Sequence, residues 1–336
     1  MAHESDAEAV DGFLQYLQAA RGRSARTVEA YRACLARLQE FLDGRALLDA
    51  EPVELEAWSG IWLHKRGVIA RSRRQYISAA RGFYSWARRR GLVKRNAAGE
   101  LQHPKTAKPL PEVTSLASAE KLMWAPDLST FLGLRDAAML SLLIGCGLRV
   151  GGLVALNVED LRPGEVDGKP RLIVRVTEKG EKTRVLPVPR EAEMLLRVYL
   201  DHEELRTYDR QVKAGADVRT VLFVNARNTR CKPEDWHGEA VRISRKSVWR
   251  MIQRHGEAVG VPKAELHPHA LRHLFGTELA EDGVDLILRQ ELLGHVDPKT
   301  TAIYDSLSSR RKTATVDKSG PLAKIKTPVS ELLRRL

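Results

Sequence analysis

The sequence predicts a mainly α-helical chain with one small β-hairpin, an α+β arrangement laid out in two modules. Three observations predict it. Residues 8–95 carry apolar side chains at helical spacing and no alternating run. The stretch 96–115, NAAGELQHPKTAKPLPEVTS, holds Pro104, Pro109 and Pro111 with little apolar content; proline stops helices and stiffens a chain, so this reads as a linker. Beyond it, RLIVRV (171–176) and TRVLPV (183–188) alternate on either side of a turn at Gly180. The predicted bounds are a helical module at 1–100, a linker at 101–115, a second module at 116–310 and a tail at 311–336.

In the first module, Ser24 is the N-cap of a helix on which Val28, Tyr31, Leu35, Leu38 and Leu42 recur at three and four, an apolar stripe along one face. A further helix is predicted from about Ser72 to Arg90, with Ile77, Ala80, Tyr84 and Ala87 on its apolar face. After the linker a helical run covers about Ser118 to Cys146. The hairpin follows, with Leu172, Val174 and Val176 on one face and Lys179 at its tip. Helix resumes near Arg190, VLFV (221–224) reads as a short strand, 225–246 as a polar loop, and Lys246 onward as helix again. The chain closes on PVSELLRRL, a short amphipathic helix.

With 43% hydrophobic and 29% charged residues among 336, the composition is that of a folded globular protein. The longest apolar stretch, Ala137 to Leu148, is 12 residues, short of a membrane span. The polar, acidic opening MAHESDAEAV lacks the basic start and apolar run of a signal peptide, which predicts a cytoplasmic location. Cys34, Cys146 and Cys231 are too few and too widely spaced for a disulfide framework or a C-x-x-C metal site and are expected to be neutral, buried residues.

Lys and Arg number 55 against 43 Asp and Glu, a formal charge of +12, which favours a polyanionic partner. Part of the excess is concentrated. From Arg71 to Arg95 there are nine Lys/Arg and no acidic residue, and Arg74, Arg81 and Arg88 stand seven apart on one side of the predicted helix. Like charges left uncompensated repel unless a polyanion, most often DNA or RNA, neutralises them, so Arg71, Arg73, Arg74, Arg81, Arg88 and Lys94 are the candidate phosphate-contacting residues.

The sequence holds no H-E-x-x-H, no paired C-x-x-C, no nuclease-type acidic cluster and no Walker A loop, so the predicted chemistry uses neither metal, ATP nor another cofactor. The remaining candidates are basic residues beside apolar helices. Gly145 and Gly147 break a helix just before Arg149, whose planar guanidinium suits two phosphate oxygens. His269 and Arg272, three apart on a predicted helix, pair an imidazole with a second guanidinium on one face. His295 follows a Leu-Leu-Gly break, and Tyr304 comes nine residues later.

In this order the set resembles the tyrosine recombinase (phage integrase) family, in its Xer/integrase-like branch. The residues carrying the resemblance are Gly147-Leu148-Arg149, Lys179 in EKGEKTR, His269-x-x-Arg272, Leu292-Leu293-Gly294-His295, and Tyr304 in a Thr300-Thr301-x-x-Tyr304 context. Ser24, Thr27 and Tyr31, spaced as S-x-x-T-x-x-x-Y, look like the family's N-terminal core-binding, SAM-like domain, so the likeness covers roughly residues 10–310. It implies a site-specific recombinase that exchanges DNA strands through a 3′-phosphotyrosine and a Holliday junction.

The implied roles are specific. Tyr304 attacks phosphorus, Arg149, Arg272 and His295 stabilise the charge on the nonbridging oxygens, Lys179 protonates the leaving 5′-oxygen with Lys182 as its rival, and His269 accepts the phenol proton. The resemblance further implies a homotetramer on double-stranded DNA, with Val329, Leu332, Leu333 and Leu336 docking on a neighbour or, as the alternative, packing within their own chain, and leaves room for accessory DNA-bending or directionality proteins. Three features depart from the pattern: Gly152 stands where an acidic residue is usual, the polar region 205–246 is long, and the tail after Tyr304 is long enough to reach a neighbouring subunit. A type IB topoisomerase and a noncatalytic regulator on the same scaffold are the competing readings. His269, where a topoisomerase has lysine, weighs against the first, and the full motif set against the second.

Overall fold

The computed structural model describes residues 5–106, 112–166, 169–178, 182–214, 217–226, 237–294 and 315–330. The chain divides into two compact units, Met1–Pro109 and Leu110–Leu336.

The first unit is helical. Helix α1 (Asp6–Ala19) opens on a capping box in which the Glu8 amide donates to the Ser5 hydroxyl and the Ser5 amide to the Glu8 carboxylate. Helix α2 (Ala25–Leu42) starts at Ser24, whose hydroxyl accepts from the Thr27 amide, and buries Cys34, Leu35, Leu38 and Leu42 while Val28 and Tyr31 are half-buried. The helical reading of 8–95 is interrupted once: α3 (Pro52–Ala57) passes through a π-helical turn, Trp58–Trp62, into α4 (Leu63–Lys65). Helix α5 (Ala70–Arg89) buries Ile77, Ala80, Tyr84 and Ala87, the face its spacing predicts. Phe13 meets Phe83 edge-on, with ring centroids 5.6 Å apart. Ala97, Ala98 and Leu101 complete this core, so the linker reading of 96–115 is corrected at its start: those apolar side chains belong to the packed unit.

In the second unit the predicted run from Ser118 to Cys146 is two helices, α6 (Leu116–Trp124) and α7 (Phe131–Gly145). A turn at Asp127 separates them, and the Thr130 hydroxyl caps α7 by accepting from the Gly133 amide at 3.0 Å. Helix α7 is buried nearly all round and packs against α9 (Arg190–Asp201). Between them in sequence come α8 (Val150–Ala155) and an antiparallel sheet of order β1 (Leu161–Val166), β2 (Lys169–Glu178), β3 (Lys182–Pro187). Val174 sits opposite Leu161 on one side and Leu186 on the other, and Val174 and Val176 are fully buried. Strand β1 went unpredicted because LRPGEV carries a proline and a glycine, residues that weaken a strand pattern.

The region 205–246 holds more than a loop. Strands β4 (Gln211–Ala214) and β5 (Asp217–Thr220) form a second hairpin, and α10 (His237–Val241) follows. The predicted strand VLFV is not one. Val221 and Val224 make single bridges to Asn157 and Arg242, and 221–224 are buried between different segments rather than laid along a sheet edge. Helices α11 (Arg245–Ala258), α12 (Pro268–Glu281) and α13 (Leu286–Leu293) complete the core.

Residues 315–319 and α14 (Pro321–Lys324) pack on this chain's own core, burying Val316, Leu322, Ile325 and Val329. Lys324 bridges Glu278 of α12 and Asp282 at its C-cap at 2.8 Å each, and the Trp124 indole donates to the Lys326 carbonyl. The expectation that Val329 serves a neighbour is therefore corrected, while Leu332, Leu333 and Leu336 lie outside the described residues. Cys34 and Cys146 are buried, and burial pushes their thiols up to about 11 and about 12; Cys231 lies outside the described residues. Among the described residues no helix is long and apolar enough to cross a membrane.

Candidate active site

Helix α7 stops at Gly145, and Gly147 turns the chain with φ +57 before Arg149 opens α8 as its N-cap residue. Only glycine fits at 147. Its dihedral lies in the left-handed region, and a Cβ there would stand 2.5 Å from Cδ1 of Phe275 on α12. The close approach matters because Phe275 is one turn beyond Arg272, and Arg272 donates from Nη1 to the Gly147 carbonyl at 2.6 Å. Arg272 also donates from Nη2 to the Leu293 carbonyl, and Arg184 of β3 donates to the Leu292 carbonyl. The last carbonyls of a helix have no partner within it. Here two guanidiniums supply partners at the end of α13, where Gly294 closes the helix at φ +66.

One cavity of ≈ 510 Å³ is lined by Arg149, His269, Arg272, His273, Thr277 and Arg289, among other residues, and no carboxylate lines it among the described residues. The structure thus brings together three of the sequence-predicted residues, Arg149, His269 and Arg272. Lys179, His295 and Tyr304 lie outside the described residues; of Lys182 only the backbone is described, at the start of β3.

The electrostatics follow from crowding of positive charge. Burial, then the fields of Arg184 and Arg149, bring Arg272 down to about 9, and burial and Arg149 bring Arg184 down to about 10. Burial also lowers Arg149. At neutral pH all three remain cationic. Partial burial, then His267, His273, Arg272 and Arg149, lowers His269 below its ordinary 6.5, so its imidazole is neutral and able to accept a proton. An anion with oxygens on several sides is what such a cavity binds.

Arg184, His273 and Arg289 were missed from sequence. Arg184 had a readable signal: alternation along β3 puts it on the face of buried Leu186, opposite exposed Val185, and a charge on a buried strand face calls for a specific partner. Gly152 is buried, and Arg149 sits in the shared cavity without an acidic residue at that position.

On the first unit, Arg71, Arg74, Arg81, Arg88 and Lys94 are exposed, and none is in an ion pair among the described residues. Arg73 differs in being half-buried, and it donates to the Gly60 carbonyl of the π-helical turn at 3.1 Å, while exposed Arg74 makes a longer bond, 3.4 Å, to the Pro104 carbonyl. Arg74 and Arg81 both act on His103, which burial and these two charges push below its ordinary value.

Two family models match the chain: the phage integrase family over residues 113–311, and the phage integrase N-terminal SAM-like domain over residues 10–91. A tyrosine recombinase XerD of Listeria innocua serovar 6a is 34% identical over 305 residues, covering 90% of this chain and 95% of that protein. Two solved structures share the fold at 20% identity. XerH site-specific recombinase bound to difH substrate superposes with a TM-score of 0.61, covering 91% of this chain and 84% of that one. A lambda integrase tetramer bound to a Holliday junction gives 0.60, covering 88% and 78%. With family models matched over residues 10–91 and 113–311 and a relative 34% identical over 90% of its length, the chain belongs to the phage integrase family, the tyrosine recombinases.

Proposed function

We infer that the chain is a tyrosine-type site-specific DNA recombinase that cuts and rejoins strands through a 3′-phosphotyrosyl intermediate and a Holliday junction. The observation that supports this most is the shared cavity: Arg149 and Arg272, far apart in sequence, line it with His269 and without a carboxylate among the described residues. A phosphodiester exchanging partners gathers negative charge on its nonbridging oxygens, and fixed donors in a partly dry site stabilise that charge without reorganising. Arg149 and Arg272 take those oxygens, with His295 adding a hydrogen bond. Neutral His269 accepts the proton of Tyr304 as the phenol attacks. The P–O bond to the 5′-oxygen breaks, and Lys179 protonates that oxygen, with Lys182 as its rival. The phosphotyrosine conserves the bond energy, so rejoining needs neither ATP nor metal.

The first unit adds affinity through backbone phosphates by way of Arg71, Arg74, Arg81, Arg88 and Lys94, with Arg73 a lesser contributor because of its bond to Gly60. A core-binding domain at 1–100, a linker at 101–115 and a catalytic domain at 116–310 are the proposed division, and the family-model matches over 10–91 and 113–311 are in keeping with it. The working unit is a homotetramer on DNA, as in the lambda integrase complex, joined by accessory DNA-bending or directionality proteins, and the protein works in the cytoplasm on the chromosome.

The test begins by footprinting the protein on genomic DNA of its source to locate its binding site. Two duplexes carrying that site, one labelled, are then mixed with the protein in EDTA and without ATP. Reciprocal exchange products are expected. Relaxation of supercoiled plasmid without exchange points instead to a topoisomerase, and binding without any cleavage to a regulator.

A further inference from the structure

The cavity is longer than one phosphodiester requires. His269, His273, Thr277 and Ala280 line it from one face of α12 at spacings of four, four and three. At a rise of about 1.5 Å per residue, His269 and Thr277 are separated by about 12 Å along the helix, whereas successive phosphates of one DNA strand advance only about 3.4 Å along the duplex axis. The proposed chemistry occupies one end, with Arg149, Arg272 and His269. The other end presents Thr277, which is exposed, and Arg289, which reaches in from α13.

Arg289 stands out by its lack of acceptors. Its Nε is buried and has no hydrogen-bond partner, and it is in no ion pair among the described residues. Three carboxylates of α12, α13 and their ends are engaged elsewhere. Asp285, one turn back on α13, caps the Ile287 and Leu288 amides. Glu278 of α12 and Asp282 at its C-cap hold Lys324. A buried cationic donor without an acceptor is unfavourable, and an anionic oxygen in the cavity relieves it. A chain that binds DNA brings a second such oxygen one nucleotide from the first.

We propose that Arg289, with Thr277 lining the same cavity, binds the DNA phosphate adjacent to the one being cut, so that the cavity is a two-phosphate site. The proposal rests on the recombinase reading above. Its consequence is register: an arginine gripping the neighbouring phosphate fixes which phosphodiester lies between Arg149 and Arg272, making Arg289 a substrate-binding residue of the cleavage step.

The probe is a nicked suicide duplex carrying the footprinted site, with a single uncharged methylphosphonate placed in turn at each phosphate flanking the scissile one. Covalent adduct formation is followed for wild type, Arg289→Gln and Arg289→Lys. Wild type is expected to lose about tenfold in rate from the methylphosphonate on one flank, the size of one charge-assisted hydrogen bond. Arg289→Gln is expected to be about tenfold slower on unmodified DNA and to lose nothing further from that methylphosphonate, while Arg289→Lys recovers part of the rate. The proposal is overturned if wild type is indifferent to both replacements, if Arg289→Gln cleaves unmodified DNA at the wild-type rate, or if it remains as sensitive to the methylphosphonate as wild type. No adduct from wild type on unmodified duplex would instead sink the recombinase reading itself.

Discussion

Arg272 donates from Nη1 to the carbonyl of Gly147 at 2.6 Å, tying helix α12 to the turn that presents Arg149. The two guanidiniums are therefore not positioned independently. The same side chain reaches the Leu293 carbonyl, so a single arginine sets the spacing of three segments that meet at the cavity.

Replacing Arg272 by lysine keeps a charge but removes the fork that holds two carbonyls and faces an anion. Arg272→Lys is expected to slow adduct formation on a suicide duplex about 10²–10³-fold, the usual cost of losing a fixed donor to developing charge. DNA affinity at low salt should change little. A rate within about threefold of wild type would contradict the arrangement.

At Gly147, alanine meets both a positive φ and the ring of Phe275. Gly147→Ala should destabilise the second unit by about 1–3 kcal/mol, read from urea denaturation. Cleavage should fall further than the loss of folded protein accounts for, because Arg149 and Arg272 both depend on this turn.

Arg184 ties β3 to the end of α13 without lining the cavity. For Arg184→Met the single-turnover cleavage rate should drop at least tenfold with DNA affinity retained, the mark of a positioning residue. Equal losses in affinity and rate would assign Arg184 to phosphate binding instead.

The pH dependence has a definite sign. His269 acts in its neutral form, which predominates above its pKa, and its pKa is lowered by partial burial and the surrounding cations. Cleavage should therefore persist as pH falls, with the acid limb below 6.5. An acid limb above that value would mean that another group carries the proton.

Arg74, Arg81 and Arg88 are exposed on one side of α5. Changing all three to alanine should leave the melting temperature nearly unchanged and weaken binding at every sequence tested. The slope of log K against log salt should fall by about 0.9 for each phosphate that is no longer neutralised. An unchanged slope would place the DNA on another face.

Much of this was legible in the sequence because it depends on local rules. The Ser24 cap, the α5 face at Ile77, Ala80, Tyr84 and Ala87, and the hairpin at 171–188 follow from spacing and turn chemistry alone. What escaped depends on packing between distant segments. VLFV has strand composition, yet its two bridges go to Asn157 and Arg242, which no local pattern pairs. The one helical run expected before Cys146 split at Asp127, where a side-chain cap on Thr130 restarts the helix. Arg289 carries no motif, and only the packing of α13 on α12 brings it to the cavity.

The most direct test of the central claim is covalent trapping. Wild type and Tyr304→Phe are incubated with the nicked suicide duplex, and the adduct is digested and mapped by mass spectrometry. A 3′-phosphotyrosine on the peptide containing Tyr304, absent from the variant and strongly reduced in Arg149→Ala, is the predicted result. An adduct on any other residue, or one that survives in Tyr304→Phe, would contradict the account.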